Sequence, residues 1–449
     1  MSNKILQKAV KAALFAAAGA IGSHAGAATL DQALAQAWQN NPTLAAERES
    51  VEASQNQVDE AKGGYYPQVK AFGGIGTSHN DVTFMPIPGF KLPLNEFSLN
   101  TRQIGLELDQ TLYAGGKVSG SVDVAEHLHE AEAAHFHAVE QGVLLDAAQA
   151  YMDVLQSQAV LALEQSNENV LKQAQDAAQA SFDNGEVTHT DVDQAKARLA
   201  GAQAARIQAE GAVTAALATY ERVIGTQPDG LQQPAALGGL PASQQDALAL
   251  ADHNYSVVAA QAQSDAAHSN VDIAESDMKP SVTLVGQVSH SNEPQFLFEK
   301  LDTRSIMLNV SWPLFTGGTT TSQVHAAKHQ AASSEQQALD VRRQARDQVI
   351  GAWQAYQTAT AGLAAIEVEI TAAQSAYDGV VAEHKEGERT TLDVLNAEQE
   401  LLNAKVNQVK AQRDETVAEY SLKAATGSLT AADLHLAVTQ PAADGAAEQ

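Results

Sequence analysis

The chain has 449 residues, no cysteine and a formal net charge of −27. That length suits one large or two ordinary domains, and the acidic balance argues against nucleic acid and against anionic lipid surfaces as partners. Without cysteine there is no disulfide framework and no thiol to carry an N-terminal lipid.

Residues 1–27 read as an export signal: Lys4, Lys8 and Lys11, then an apolar stretch from about Ala12 to Ile21, then Ala25-Gly26-Ala27 as a small-x-small cleavage site. So short a stretch does not span a bilayer, which takes about 20 residues. The mature chain is expected to begin at Ala28, and losing three lysines moves its charge to about −30. No later window is apolar enough for a transmembrane helix. The mature protein is therefore exported, and is either soluble or a membrane protein of the β type.

A first unit is expected over 28–225. An amphipathic helix over about 30–63 comes first, and Pro67 then opens a strand in which Val69, Ala71, Gly73 and Ile75 alternate with other residues. A loop rich in Pro and Gly, from Met85 to Pro93, leads to a second alternating strand through Ile104, Leu106, Leu108 and Leu112. Aromatics (Tyr65, Tyr66, Tyr113) stand near the strand ends, as an outer-membrane strand requires, although any half-buried hairpin looks similar. Gly115-Gly116 ends the strand. A helix rich in Ala, Glu and Gln then runs over about 118–184, roughly 100 Å at 1.5 Å per residue. After Gly185 a shorter helix covers about 188–224. A linker over 226–245 leads to a second unit, 246–427, with the same plan, and a tail over 428–449 that reads as disordered from Pro441.

The two units are copies. Arg102 and Arg304, Gly115-Gly116 and Gly317-Gly318, Tyr151 and Trp353, Gly185 and Gly387, Asp191-Val192 and Asp393-Val394, and Gly225 and Gly427 all stand 202 positions apart. Upstream, Asn41 pairs with Asn254 and Pro67 with Pro280 at a separation of 213, so 11 extra residues of the first copy lie between Pro67 and Arg102. In each copy the two shorter helices together match the long one in length, so they are expected to stack end to end beside it. The strands then sit at one end of a rod and the Gly turns at the other. A sheet in lipid must close on itself and four strands are too few, so each chain must share its barrel with others. Strand count alone leaves the symmetry open.

These residues resemble the TolC family of outer-membrane efflux proteins over essentially the whole mature chain. The most specific parts are Leu112-Tyr113-Ala114-Gly115-Gly116 with Leu314-Phe315-Thr316-Gly317-Gly318, Asn184-Gly185-Glu186-Val187-Thr188-His189-Thr190-Asp191-Val192, and Glu386-Gly387-Glu388-Arg389-Thr390-Thr391-Leu392-Asp393-Val394-Leu395. The resemblance implies a mainly α protein with a membrane β part. Internally duplicated long α-helical hairpins would form a periplasmic tunnel, and four β-strands per chain would contribute to a shared 12-stranded trimeric barrel. It implies an outer-membrane channel for solutes or proteins, a homotrimer in contact with outer-membrane lipid. Its partners would be a periplasmic adaptor and an inner-membrane ABC or proton-driven transporter, with no cofactor.

The residues after the Gly turns have a structural reading first. Thr188-x-x-Asp191 and Thr390-x-x-Asp393 match capping boxes that start helices, and Arg389 could pair with Asp393 at i,i+4. The resemblance adds a gate. It implies that Asp191 bonds Arg389 on the neighbouring inner helix, that Thr190 constrains the same region, and that Asp393 forms an acidic ring open to cation block. Asn396 stands at the second ring position in place of an acid, and His384 stands where better-known members carry Tyr. The histidines His127, His129, His135 and His137 read as solvated, since residues two or eight apart on a helix do not converge on one metal. No Ser/His/Asp or paired-carboxylate arrangement points to catalysis. A soluble periplasmic coiled-coil scaffold or adaptor is the alternative reading. Carbonate washing of outer membranes separates the two, because an adaptor leaves with the wash whereas a shared barrel leaves only with detergent.

Overall fold

The computed structural model describes residues 29–81, 96–295 and 298–437. The expected export signal, the loop prolines Pro86, Pro88 and Pro93, and the tail from 438 onwards lie outside the described residues. The elements in chain order are α1 (Leu30–Asn40), α2 (Pro42–Gly63), β1 (Gln68–Asp81), β2 (Glu96–Tyr113), α3 (Lys117–Asp183), α4 (His189–Ile224), α5 (Gln244–Leu250), a 3-10 turn (Ala251–His253), α6 (Tyr255–Ser276), β3 (Ser281–Gln295), β4 (Phe298–Ser311), α7 (Thr319–Lys385) and α8 (Thr391–Ala425).

The long helices α3 and α7 have 67 residues each, about 100 Å at the usual rise. Each begins after a Gly pair in the left-handed region: φ is +66° and +101° at Gly115 and Gly116, and +63° and +85° at Gly317 and Gly318. A side chain at Gly115 would also meet Lys279 Cβ at 2.7 Å. The expected single helix of the first copy is broken at Asn41-Pro42, and its counterpart is broken at Asn254. Proline disfavours helical backbone in the residue before it, and Asn41 is extended.

Both asparagines hold equivalent places. Asn41 Oδ1 caps the amide of Thr43 and Asn254 Oδ1 that of Ser256, each at 2.9 Å. Their Nδ2 atoms donate to the carbonyls of Val223 (3.4 Å) and Ala425 (3.0 Å), which stand 202 positions apart in the two copies. Each asparagine thus starts one helix while holding the C-terminal turn of the helix stacked on it. That is the end-to-end joint the length match calls for. The largest core surrounds the joint of the first copy, with Leu34, Trp38, Leu144, Tyr151, Tyr220 and Ile224 buried.

Sideways, α2, α3, α6 and α7 pack in that order beside the strands, and α4, α3, α8 and α7 towards the Gly turns. Two seams repeat every seven residues: Val324, Ala331, Ala338 and Ala345 on α7, and Ala195, Ala202 and Ala209 on α4, all buried. Heptad spacing of small side chains lets long helices approach closely and supercoil left-handed.

The strands form one antiparallel sheet in the order β1-β2-β3-β4. Cross-strand partners share a face. The register therefore puts Val69, Ile75, Ile104, Leu106, Val288, Ile306, Leu308 and Val310 together on one apolar face, exposed in the protomer. Lys70, Gln103, Glu107, Asp109, Gln287 and Ser305 lie on the other face. Tyr65, Tyr66, Tyr113 and Phe315 ring the helix-proximal end and are exposed. β1 and β4 are edges, each paired on one side only. Replacing the asparagine at the second joint, Asn254→Ala, removes a cap worth about 1 kcal/mol. Hydrogen exchange of the Ser256 amide is expected to speed up about fivefold; an unchanged rate contradicts the joint.

Candidate functional site

The end of the rods opposite the sheet is built by two equivalent turns. α3 and α7 both end in the same backbone pattern. Gly185 N–H donates to Phe182 O and Glu186 N–H to Ser181 O, while Gly387 N–H donates to His384 O and Glu388 N–H to Glu383 O, all at 2.9–3.0 Å. Gly185 and Gly387 carry φ of +80° and +79°, which glycine adopts without strain. The next helix follows within four residues in each case, started by the two expected capping boxes. Asp191 Oδ2 accepts from Thr188 N (2.9 Å) and Thr188 Oγ1 (2.8 Å). Asp393 Oδ2 accepts from Thr390 N (2.9 Å) and Thr390 Oγ1 (2.8 Å).

Hydrogen bonds from Thr188 hold Asp191 below the usual carboxylate range. Asp393 is likewise lowered by its bonds from Thr390, with the nearby charge of Arg389 adding to the effect. Both acids stay ionised in neutral solution, and among the described residues their second oxygen, Oδ1, has no hydrogen bond.

Within the protomer Arg389 is engaged by an acid of its own hairpin. Its Nε donates to Glu383 Oε2 at 2.7 Å, back across the turn to the last turns of α7, and that bond raises its affinity for the proton further. Within the protomer no ion pair joins it to Asp191 or to Asp393 among the described residues. Among the described residues only one of its donors is used, which leaves the remaining face of the guanidinium for a second acid. His384 Nδ1 lies 3.1 Å from the Arg389 carbonyl, bracing the same turn. Asn396 Oδ1 accepts from Arg198 Nη2 at 2.8 Å, a bond between α8 and α4 that ties the two copies together one turn beyond Asp393. Thr190 is exposed in the first turn of α4.

Three participants have no motif in the sequence. Glu383 stands six residues before Arg389, and Arg198 stands 198 residues before Asn396. Glu398 is half-buried on α8, and burial pushes its carboxyl up. Only proximity in the turn could have pointed to Glu383.

Of the four histidines read as solvated, His135 is exposed, whereas the other three lie beside polar partners. His129 Nδ1 lies 2.8 Å from Ser54 Oγ, and His127 Nδ1 lies 3.9 Å from Glu130. His137 contacts buried Glu140 at 2.8 Å and stacks on Tyr255 at 4.7 Å. Glu140 also accepts from Trp38 Nε1 at 2.7 Å and from the Ala431 amide at 3.1 Å, so it fastens α1 and the segment after α8 to α3. A buried carboxylate needs such partners, and they set the position of His137. Among the described residues no group of His, Asp or Glu is arranged to hold a metal ion.

The sequence pattern of the family described as outer membrane efflux protein matches residues 33–226 and again 248–428. The outer membrane efflux protein BepC of Brucella suis is 35% identical over 415 residues, 92% of this chain and 88% of that protein. The outer membrane protein TolC of Vibrio cholerae is 26% identical over 96% of this chain and 97% of its own length. Among solved structures, the outer-membrane channel OprN superposes with a TM-score of 0.76 at 20% identity, over 89% of each chain.

The capping boxes predict a pH dependence of the helix starts. A carboxyl lowered in the folded state stabilises above its unfolded value, about 3.9, and that stabilisation is lost as pH falls through the lower folded value. Amide protection in the first turns of α4 and α8, measured against the intrinsic exchange rate at each pH, is therefore expected to hold down to pH 4 and to fall below it. Asp191→Asn and Asp393→Asn should flatten that response at their own turns. A midpoint at or above pH 4 contradicts the capped geometry.

Proposed function

This chain belongs to the outer membrane efflux protein family and is an outer-membrane export channel that extends into the periplasm, and from that premise we propose how it assembles, closes and opens. Three copies close a barrel of twelve strands, the edge β1 of one protomer pairing with the edge β4 of the next. The observation that carries this reading is a four-stranded sheet with an apolar exposed face and two unpaired edges, set on rods about 100 Å long. The polar face, which carries an ion pair between Lys70 and Asp109 at 3.6 Å, lines the lumen. The turns at the far end meet a periplasmic adaptor and an inner-membrane ABC or proton-driven transporter, which selects the cargo.

The gate is formed where the Gly turns converge on the axis. Arg389, held by Glu383 of its own hairpin, offers its free guanidinium face to the free Oδ1 of Asp191. Glu383 and Asp191 thereby share one cation, so the latch is weaker than an isolated pair and can be broken by a docking partner. Thr190 packs in the same first turn. Asp393 faces the axis as a single acidic ring, because Asn396 is neutral and engaged with Arg198. Three ionised carboxylates around a narrow axis attract and hold a multivalent cation.

Native mass measurement of the detergent-extracted protein is expected to give three chains; a monomer overturns the assembly. In planar bilayers Arg389→Ser is expected to raise resting conductance severalfold, and Asp191→Ala to do the same with little further gain in the double variant. Glu383→Gln should act in the opposite sense, lowering resting conductance by releasing Arg389 to Asp191. If Asp191 only caps α4, Arg389→Ser leaves conductance at the wild-type level. Asp393→Asn should weaken block by multivalent cations from the periplasmic side, and undiminished block contradicts the ring.

A further inference from the structure

Four segments of one chain meet around a hollow of about 520 Å³: the start of α1, the linker between the two copies, the last turns of α8 and the stretch that follows α8. That volume lies within the roughly 300–1,000 Å³ of small-molecule sites. Its linker wall is held from behind. The Tyr151 hydroxyl donates to the Gln232 carbonyl at 2.7 Å and accepts from the Gln232 amide at 3.0 Å. Glu419 Oε2 accepts from the Leu237 amide at 3.1 Å. The linker is thus pinned on both sides of the residues that face the hollow.

Among the described residues three charged side chains line this space, and they are placed unequally. Lys423 is only 7% exposed, yet its ammonium forms no hydrogen bond and no ion pair among the described residues. A Cβ on Gly239 would stand 3.8 Å from Nζ, so the glycine closes in on the ammonium without supplying a partner. Glu419 lies one turn back on the same helix but is engaged by the Leu237 amide. An ammonium so far removed from water is costly unless an anion meets it. Asp31 and Asp433, by contrast, are exposed. The Thr430 hydroxyl donates to Asp433 Oδ2 at 2.8 Å and fixes that carboxylate. The capping box of Thr29 and Gln32 sets the first turn that carries Asp31. Burial, with the charge of Asp31 adding to it, holds the Tyr420 hydroxyl above its ordinary range, so that charge lies near the ring on the wall of the hollow.

A simple anion drawn to Lys423 would also face two acids, and a simple cation would face the buried ammonium. One buried cation with two exposed acids is the inverse of a basic amino acid, which carries one carboxylate and two cationic groups. Leu30, Leu434 and the Tyr420 ring supply apolar wall for its aliphatic stem. We propose that this hollow binds a free basic α-amino acid, with its carboxylate on Lys423 and its cationic groups towards Asp31 and Asp433. Such a ligand ties the start of α1 to the linker and to the end of α8, which come together only in the folded chain, so binding stabilises the protein by mass action. The hollow belongs to a single protomer and lies outside the gate, so the inference does not depend on how the turns close.

Calorimetric titration of the intact, detergent-extracted protein tests this with three probes. L-lysine is expected to bind at least tenfold more tightly than 1,5-diaminopentane, which lacks the carboxylate, and than 6-aminohexanoate, which lacks the α-ammonium. Lys423→Met should bring lysine down to the affinity of diaminopentane without weakening diaminopentane itself, a pattern that general loss of structure does not produce. Asp31→Asn should reduce the advantage of lysine over 6-aminohexanoate. Absence of lysine binding, or equal binding of lysine and diaminopentane by the unaltered protein, overturns the proposal even where the methionine variant fails to fold. An undiminished preference for lysine in a folded Lys423→Met variant overturns it too, since the carboxylate is then held elsewhere.

Discussion

Everything in this molecule follows from the unpaired backbone groups along the outer edges of β1 and β4. In hydrocarbon no water is present to satisfy them, and each orphaned group costs several kcal/mol, so the edges must find partners. One chain supplies four strands, too few to curl upon themselves, and the exposed apolar face cannot be buried within the protomer. Assembly is thus a condition of membrane insertion. The axis it creates is what gives the helices below it a lumen to enclose.

The helices meet the second constraint, reach without distortion. A helix of 67 residues crosses about 100 Å in one piece, and its partner is made from two shorter pieces that meet at Asn41 in one copy and Asn254 in the other. The joints permit the chain to leave for the sheet midway along the stack. They also place the thick core around Tyr151 and Tyr220 away from both ends. Towards the Gly turns the buried packing thins to two small clusters, Leu171 with Ala202 and Leu395, and Ala178 with Val192 and Ala195. A region held by small side chains and a few exposed ion pairs can open at little cost, which suits the gate proposed at that end.

The duplicated plan was legible in the sequence because its boundaries are backbone necessities. Gly115-Gly116, Gly185, Gly317-Gly318 and Gly387 all take positive φ, and the 202-residue spacing repeats them. Alternation placed the strands, and the apolar and polar faces follow from it. The breaks at Asn41 and Asn254 were less visible, since half of what holds each asparagine is a carbonyl more than 170 residues away. At the turns the capping boxes could be read directly, being local. The engagement of Arg389 by Glu383 and of Asn396 by Arg198 could not, because both depend on how helices pack across a turn or between copies. The role of His137 was hidden for the same reason: Glu140, its partner, is placed by contacts with Trp38 and Ala431.

Closure of the barrel between protomers is the claim on which the rest stands, and the absence of native cysteine makes it directly accessible. A single cysteine placed at Phe72 on β1 is combined with a second scanned along β4 from Ser305 to Ser311, and the protein is oxidised in isolated outer membranes. Disulfide-linked species of up to three chains are expected at one register of the scan, with no larger ladder. Cross-links confined to single chains at every position, or a ladder that runs past three, would contradict it.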